Sequence, residues 1–315
     1  MSGALRLAEI VLLAAAAASV GVTVAAFAGE ASWLLDLTTH FRWQYVAVQV
    51  LLLPALLALR RRRFAAATAA ALVLNLAALG PYLPRFATAA AARDEALGVL
   101  VVNLLWENED AAALLETVAR EPHDVLVLTE FTHDWAARLA PLEERYPYRV
   151  EEPRGDAWGI ALLSRLPLAD AGVVDLEGMP AVDARVVAPA GTFRLLGVHL
   201  RPPTRPQWAR QRNRQLATLG RWAADAAEPL VVAGDFNSTP YSPHFAAMLE
   251  AGGLRTTGAG RGFHFTWPSF LPLLGIPIDH CAVSGEFTVL EHRRLAPVGS
   301  DHYPLLARLA LAERR

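Results

Sequence analysis

The chain has one cysteine, Cys281, and no lysine. A single thiol rules out an internal disulfide framework and a thiolate metal site. Every basic residue beyond histidine is Arg, which reads as compositional bias. Also missing is a Gly-x-Ser-x-Gly elbow, so a serine hydrolase of that type is excluded. No phosphate-binding P-loop, Gly-x-Gly-x-x-Gly run or His-Glu-x-x-His pair occurs, which removes the common nucleotide and zinc-protease signatures. Charge is unevenly spread. Residues 1–94 hold eight Arg against four acids, and the rest holds 21 Arg against 27 acids, a net −6. A dedicated binder of long duplex nucleic acid is normally basic.

What the chain has in excess is apolar sequence. Of its 315 residues, 54% are hydrophobic, and the surplus is local. Ile10 to Ala28, Trp43 to Leu59 and Phe64 to Pro84 carry no charge. Each approaches the length needed to cross a bilayer core, the middle one only just. Buried core helices are the competing reading, but three such runs with Arg clusters between them favour a membrane anchor. Arg60 to Arg63 mark a cytoplasmic loop. The amino terminus then lies inside, Gly29 to Arg42 faces out, and everything after Pro84 is extracytoplasmic. Ala26-Phe27-Ala28 resembles a cleavage site, yet the first run is long for a signal peptide and is read as retained. The expected division is an anchor of three helices over 1–84, a linker over 85–96 and a catalytic domain over 97–315.

Beyond the linker, apolar strands alternate with helices. Strands are expected at Gly98–Leu105, Asp124–Thr129, Gly159–Ser164, Val182–Ala188, Thr192–Leu200, Leu230–Ala233, Ile278–Val283, Phe287–Glu291 and Leu305–Leu309. Helices are expected over Asp110–Arg120, capped by Asp110, and over Pro206–Ala227 with Pro at its start. Asn103, Glu130, His199, Asp235 and Asn237 all fall at or just past the C-terminal end of a strand. Polar side chains so placed converge at one rim, where α/β enzymes put their chemistry.

Glu130 and Asn103 offer oxygen ligands suited to Mg²⁺, which keeps waters and substrate oxygens in its shell. Asp301 can approach the same ion. In Gly234-Asp235-Phe236-Asn237, Phe236 turns to the core and the two polar side chains share the other side. Asp235 can orient or deprotonate a water; Asn237 can donate to a phosphate oxygen. Near the C-terminus, Ser300-Asp301-His302 supplies an imidazole that needs a carboxylate to fix its tautomer, and Asp279 is the candidate. His199 is a second imidazole, although a lone His in an apolar strand is more often structural. His264 and His280 read as structural or peripheral. The aromatic stretch Phe263 to Pro272 reads as a packed loop, with contact to a base or a membrane as the alternative.

Seven short motifs stand in a telling order: Val101-Val102-Asn103, Leu128-Thr129-Glu130, Gly159 to Arg165, Val198-His199-Leu200, Gly234-Asp235-Phe236-Asn237, Ile278-Asp279-His280 and Ser300 to Pro304. In that order they resemble the endonuclease/exonuclease/phosphatase superfamily, over roughly Leu97 to Leu309. The resemblance implies a four-layer α/β sandwich, two mixed β-sheets flanked by helices. It implies Mg²⁺ or Mn²⁺ on Glu130 with Asn103 and Asp301. It also implies His302 paired with Asp279 at the scissile phosphate, Asp235 aligning the water, Asn237 steadying the phosphoryl group, and His199 as the other active-site imidazole. With the N-terminal runs, the chain resembles a bacterial membrane-anchored subgroup, placing it in the cell membrane.

The function expected is a membrane-tethered, Mg-dependent phosphoric-ester hydrolase of nuclease type. A phospholipid or sugar-phosphate phosphodiesterase or phosphatase is the alternative, and a non-catalytic membrane scaffold the third. The partners expected are a phosphate-ester substrate (nucleic acid, or lipid or sugar phosphate) and, through the N-terminal helices, the lipid bilayer. No protein partner is legible.

Overall fold

A computed structural model describes residues 3–85 and 96–312. The expected linker lies mostly outside the described residues, as do the last three positions of the expected catalytic domain. The chain forms two compact units, Met1–Leu83 with Tyr241–Pro243, and Pro84–Pro240 with His244–Arg315.

The first unit is helical: α1 Gly3–Ala26, α2 Trp33–Thr39, α3 Arg42–Ala58 and α4 Arg62–Leu79. Its outward-facing side chains include many Leu, Ile, Val and Phe, with Ile10, Leu51 and Val73 all well exposed. The interior holds Ala16, Leu56 and Ala65 and, beside them, buried polar groups. Asn75 on α4 donates to Thr23 of α1 at 2.9 Å, and Gln49 of α3 donates to the same hydroxyl at 2.9 Å. Apolar outside and polar between helices is the pattern expected in lipid, where water cannot satisfy buried donors. α1 and the α4 segment Arg62–Tyr82 are each long and apolar enough to cross a membrane. The middle run differs from the expected single span. α3 has 17 residues and meets α2 at a 64° bend, so it makes a third span only as part of a broken pair.

The second unit is built on two six-stranded sheets. In chain order it runs β1 Leu97–Asn103, α5 Ala112–Arg120, β2 Val125–Thr129, α6 His133–Arg138, β3 Tyr148–Glu152, β4 Ile160–Ser164, β5 Leu168–Asp175 and β6 Pro180–Ala188. It continues β7 Gly191–His199, α7 Pro206–Ala224, β8 Leu230–Asp235, α8 Pro243–Ala251, β9 Arg255–Thr256, β10 Asp279–Val283, β11 Phe287–Arg294 and β12 Leu305–Leu311. The sheet orders are β11-β12-β1-β2-β4-β3 and β5-β6-β7-β8-β10-β9. Each is mixed, with one parallel pair at its centre, β1/β2 and β7/β8.

The central strands are buried on both faces, which is why they read as continuous apolar runs. Val99, Val127 and Leu162 of one sheet and Val182, Leu195 and Val231 of the other form the core between the sheets. The outer faces carry the helices. Leu114 and Val118 of α5 and Trp135 of α6 cover the first sheet; Leu216 and Leu219 of α7 and Phe245 and Met248 of α8 cover the second. The two mixed sheets flanked by helices are those expected. β3, β5, β9, α6 and α8 are not among the expected elements, and α5 begins at Ala112 with Ala111 at the cap, while Asp110 instead accepts from the Ala112 N–H at 2.8 Å.

Candidate active site

Strand register brings the polar residues together. His199 ends β7 beside Asp235, which ends β8, and Asp279 opens β10 opposite the same Asp235. Asn103 ends β1 beside Thr129, and Glu130 follows at once. The parallel pairs at the sheet centres therefore release four candidate side chains, Asn103, Glu130, His199 and Asp235, at one rim.

The backbone at this rim is unusual at three residues. Gly234 has φ +145°, and a Cβ there would sit 1.9 Å from the Val198 carbonyl oxygen, so no other residue fits. Glu130 and Asn237 adopt φ of 59° and 46°. Left-handed non-glycine residues carry strain and cluster where function holds them.

Asp235 Oδ2 is the hub. The Asn103 amide donates to it at 3.1 Å, His199 Nε2 lies 3.6 Å away and His302 Nε2 3.8 Å away. The Asp235 Oδ1 accepts from the Asn237 N–H at 2.8 Å. Asn103 also donates to Glu130 Oε1 at 3.0 Å, while Glu130 Oε2 accepts from the Trp106 N–H at 2.9 Å. His302 Nδ1 meets Asp279 Oδ2 at 2.8 Å. Asp301 Oδ2 accepts from the Trp267 indole at 2.9 Å, and its Oδ1 is buried without a partner, as is Oδ1 of Asp279. Asn237 donates to the Leu200 carbonyl at 2.9 Å.

The charges are crowded. Burial, and then Asp279, push the Asp235 carboxyl up to about 8. Burial raises Glu130 as well. Burial alone would lower His302, but Asp279, Asp235 and Asp301 outweigh it and hold the imidazole at about 10. His199 goes the other way: burial, then the charge on His302, depress it to about 3. Two imidazoles on one carboxylate thus favour opposite protonation states.

This donor set fits a hard divalent cation. The carboxylates repel one another, two of their buried oxygens have no partner, and oxygen is what Mg²⁺ or Mn²⁺ prefers. Among the described residues, Asp235, Asp279 and His302 form a group of three ligand-capable residues, each offering an atom within 4.8 Å of the others. Two of those three are already joined by the Asp279–His302 hydrogen bond, whereas Glu130 and Asp301 keep lone pairs to give.

His280, expected to be structural or peripheral, bonds the Ser238 carbonyl through Nε2 at 2.9 Å and packs its ring on Phe245 at 4.6 Å. His264 bonds the Arg261 carbonyl at 3.1 Å, outside the cluster. The Phe263 to Pro272 stretch is packed only in part. Thr266 is buried, but Phe270 is 74% exposed.

Several functional candidates carry no motif of their own. Arg212 of α7, fully buried, donates to the Asn237 carbonyl at 3.2 Å and so braces the Asp235 loop from beneath. Trp158 lies 5.1 Å from the His199 ring, Arg201 stacks 4.0 Å over Trp158, and Arg201 also faces Trp208 at 5.2 Å. The signal in the sequence is proximity to motifs: Trp158 precedes Gly159 and Arg201 follows His199 by two.

Solved structures share this architecture. TDP2 of D. rerio, humanized by 14 mutations, aligns at 15% identity and TM-score 0.59, covering 69% of this chain and all of that one. The catalytic domain of human Nocturnin, with a bound sulfate anion, aligns at 22% identity and TM-score 0.56, over 73% and 100%. Sphingomyelinase C of Streptomyces griseocarneus aligns at 16% identity and TM-score 0.52, over 68% and 99%. At such identities the likeness establishes the fold. A search of curated proteins gave no match. The family-level sequence pattern is more direct, since it spans residues 100–302, well over half of the chain and every residue of the cluster. This chain belongs to the Endonuclease/Exonuclease/phosphatase family.

Proposed function

We propose that this chain is a membrane-tethered, divalent-cation-dependent phosphodiesterase. The carrying observation is the convergence of Asn103, Glu130, Asp235, Asp279 and His302 from both sheets at one rim. Glu130, with Asn103 and Asp301, would hold Mg²⁺ or Mn²⁺, which would neutralise charge on a phosphate ester. Asp235 orients a water and accepts its proton at Oδ2. Asp279 fixes the His302 tautomer through Nδ1, leaving Nε2 to donate to a phosphate oxygen. Asn237 spends one amide hydrogen on Leu200 and keeps a second for the phosphoryl group. His199 packs between Asp235 and Trp158 and keeps the Asp235 carboxylate turned to the substrate.

The remaining organisation follows the hydropathy and charge pattern. Residues 1–84 anchor the chain in a bacterial cell membrane, 85–96 link, and 97–315 catalyse. With α2 and α3 counted as one broken span, Arg60 to Arg63 are cytoplasmic and the catalytic domain is extracytoplasmic.

Two substrate classes compete. The family and the nuclease-like site support nucleic acid. The exposed apolar tip at Phe270 to Leu274 and the acidic balance of the domain favour a lipid phosphodiester. Full-length protein should be assayed with Mg²⁺ or Mn²⁺ against plasmid DNA, RNA, phospholipid vesicles and a phosphomonoester. Cleavage of a diester that stops on chelation supports the proposal. No hydrolysis with any divalent ion contradicts it and leaves the scaffold reading.

A further inference from the structure

The stretch around Phe270 divides into a fixed base and a bare tip. At the base, the Thr266 hydroxyl accepts from the Ile278 and Asp279 N–H groups, both at 3.1 Å. The Ser269 N–H donates to the Asp301 carbonyl at 2.7 Å, and the Tyr303 hydroxyl donates to the Ser269 carbonyl at 3.0 Å. The loop is thus bonded to the segments that carry Asp279 and Asp301-His302.

Beyond Ser269 the side chains change character. Phe270, Leu271, Leu273 and Leu274 are 74%, 42%, 85% and 52% exposed. A single exposed Leu needs no explanation, but four large apolar side chains on one turn do. Turns facing water draw on Gly, Asn, Asp and Ser. This one reads Phe-Leu-Pro-Leu-Leu, and no charged residue occurs between Phe265 and Ile278. At its foot stands Arg294, exposed, donating to the Phe265 carbonyl at 3.2 Å and stacked 4.1 Å over Tyr303. Among the described residues, no carboxylate pairs with it.

We propose that residues 270–274 insert into the interface of a phospholipid bilayer, with Arg294 against lipid phosphate. Three observations select this occupant. The tip is neutral and apolar, while the cation sits at its base, the arrangement of an interfacial element. The chain carries its own apolar helices, so a bilayer is tethered to it at high effective concentration. A second copy is a poor fit, because four side chains on one turn fall far short of the roughly 20–30 residues a side of a stable interface. The inference rests on the membrane-anchor reading and not on the catalytic one.

The test uses the full chain in one-protein nanodiscs of phosphatidylcholine and phosphatidylglycerol. Leu273→Cys, in a Cys281→Ala background, carries an environment-sensitive fluorophore; Val173→Cys on β5, itself 41% exposed, is the control. The expected result is that the label at 273 is quenched by shallow doxyl lipid and shielded from aqueous iodide, and the label at 173 behaves in the opposite way. Arg294→Glu should lower the ratio of shielded to unshielded label by about fivefold or more in the anionic discs, the weight of one Arg at such a surface. A label at 273 open to iodide and untouched by lipid overturns the proposal. So does shielding that requires two proteins per disc, which would assign the tip to a second copy. Unchanged shielding in Arg294→Glu contradicts the headgroup contact, and failure of the chain to enter discs removes the anchor on which the inference stands. None of these measurements uses hydrolysis, so they separate the outcomes even for an inactive protein.

Discussion

Asp235 Oδ2 and His302 Nε2 stand 3.8 Å apart, beyond direct hydrogen-bond reach. The gap lies between the proposed general base and the proposed donor, where a water or a phosphate oxygen can bridge them. The orientation of each partner is set from behind: Asn103 and the Asn237 N–H hold Asp235, and Asp279 holds His302.

Asp279→Asn therefore leaves the imidazole in place and frees its tautomer. Turnover should fall by about 10²- to 10⁴-fold, the range for a positioned acid or base. Steady-state kinetics on a soluble diester checks this, with circular dichroism to confirm the fold. A loss below about tenfold would deny Asp279 its role.

Glu130→Gln tests the cation reading. The substitution keeps shape and one acceptor but removes charge. The Mg²⁺ concentration for half-maximal activity should rise by about 10- to 100-fold or more, the scale on which even supporting residues change metal affinity. Metal titration measures it. An unchanged titration curve would move the ion elsewhere, Asp235, Asp279 and His302 being the next candidates.

Arg212→Met removes the donor beneath the Asn237 carbonyl. A part-buried acceptor left without its partner costs up to about 1–3 kcal/mol. Thermal unfolding of the full-length protein in detergent should show the loss, and turnover should fall with it because the Asp235 loop relaxes. Unaltered stability would show that the loop keeps its strained conformation without Arg212.

His123 makes the protein acid-sensitive. Its Nδ1 bonds the Glu121 carbonyl and its Nε2 the Tyr146 hydroxyl, both at 2.7 Å. Burial lowers it from 6.5 to about 4. Above pH 6.5 both folded and unfolded states are neutral there and nothing is lost. As pH falls from 6.5 towards 4, the unfolded chain takes up a proton that the folded one refuses, and stability declines, by about 3 kcal/mol at most for this group. His280, also near 4, acts in the same direction. Melting temperature against pH should fall through that window, and His123→Gln should flatten part of the slope. An equally steep slope in the variant would point to other groups.

The interior strands could be read from sequence because both faces are buried, as with Val125 to Thr129. The edge strands could not. β3 has one buried residue, Val150, and β5 has none, its apolar Val173 being exposed beside Asp170 and Asp175, so neither shows a clean apolar period. α6 is only six residues and α8 is rich in Ala, so neither shows a clear amphipathic stripe. At the site, residues inside short motifs were legible, since their chemistry is carried by identity and order. Arg212 was not, because a buried Arg on a helix looks like any solvated one. Nor was the exposed tip: Phe-Leu-Pro-Leu-Leu has the composition of a core segment, and only its position reveals that it faces outward.

The most direct test is hydrolysis of bis(p-nitrophenyl) phosphate by full-length protein with Mg²⁺ or Mn²⁺, beside Asp235→Ala and His302→Ala. Turnover should stop with chelator and fall by about 10³-fold or more in each variant. Well-folded variants that retain wild-type turnover would show that Asp235 and His302 do not carry the chemistry.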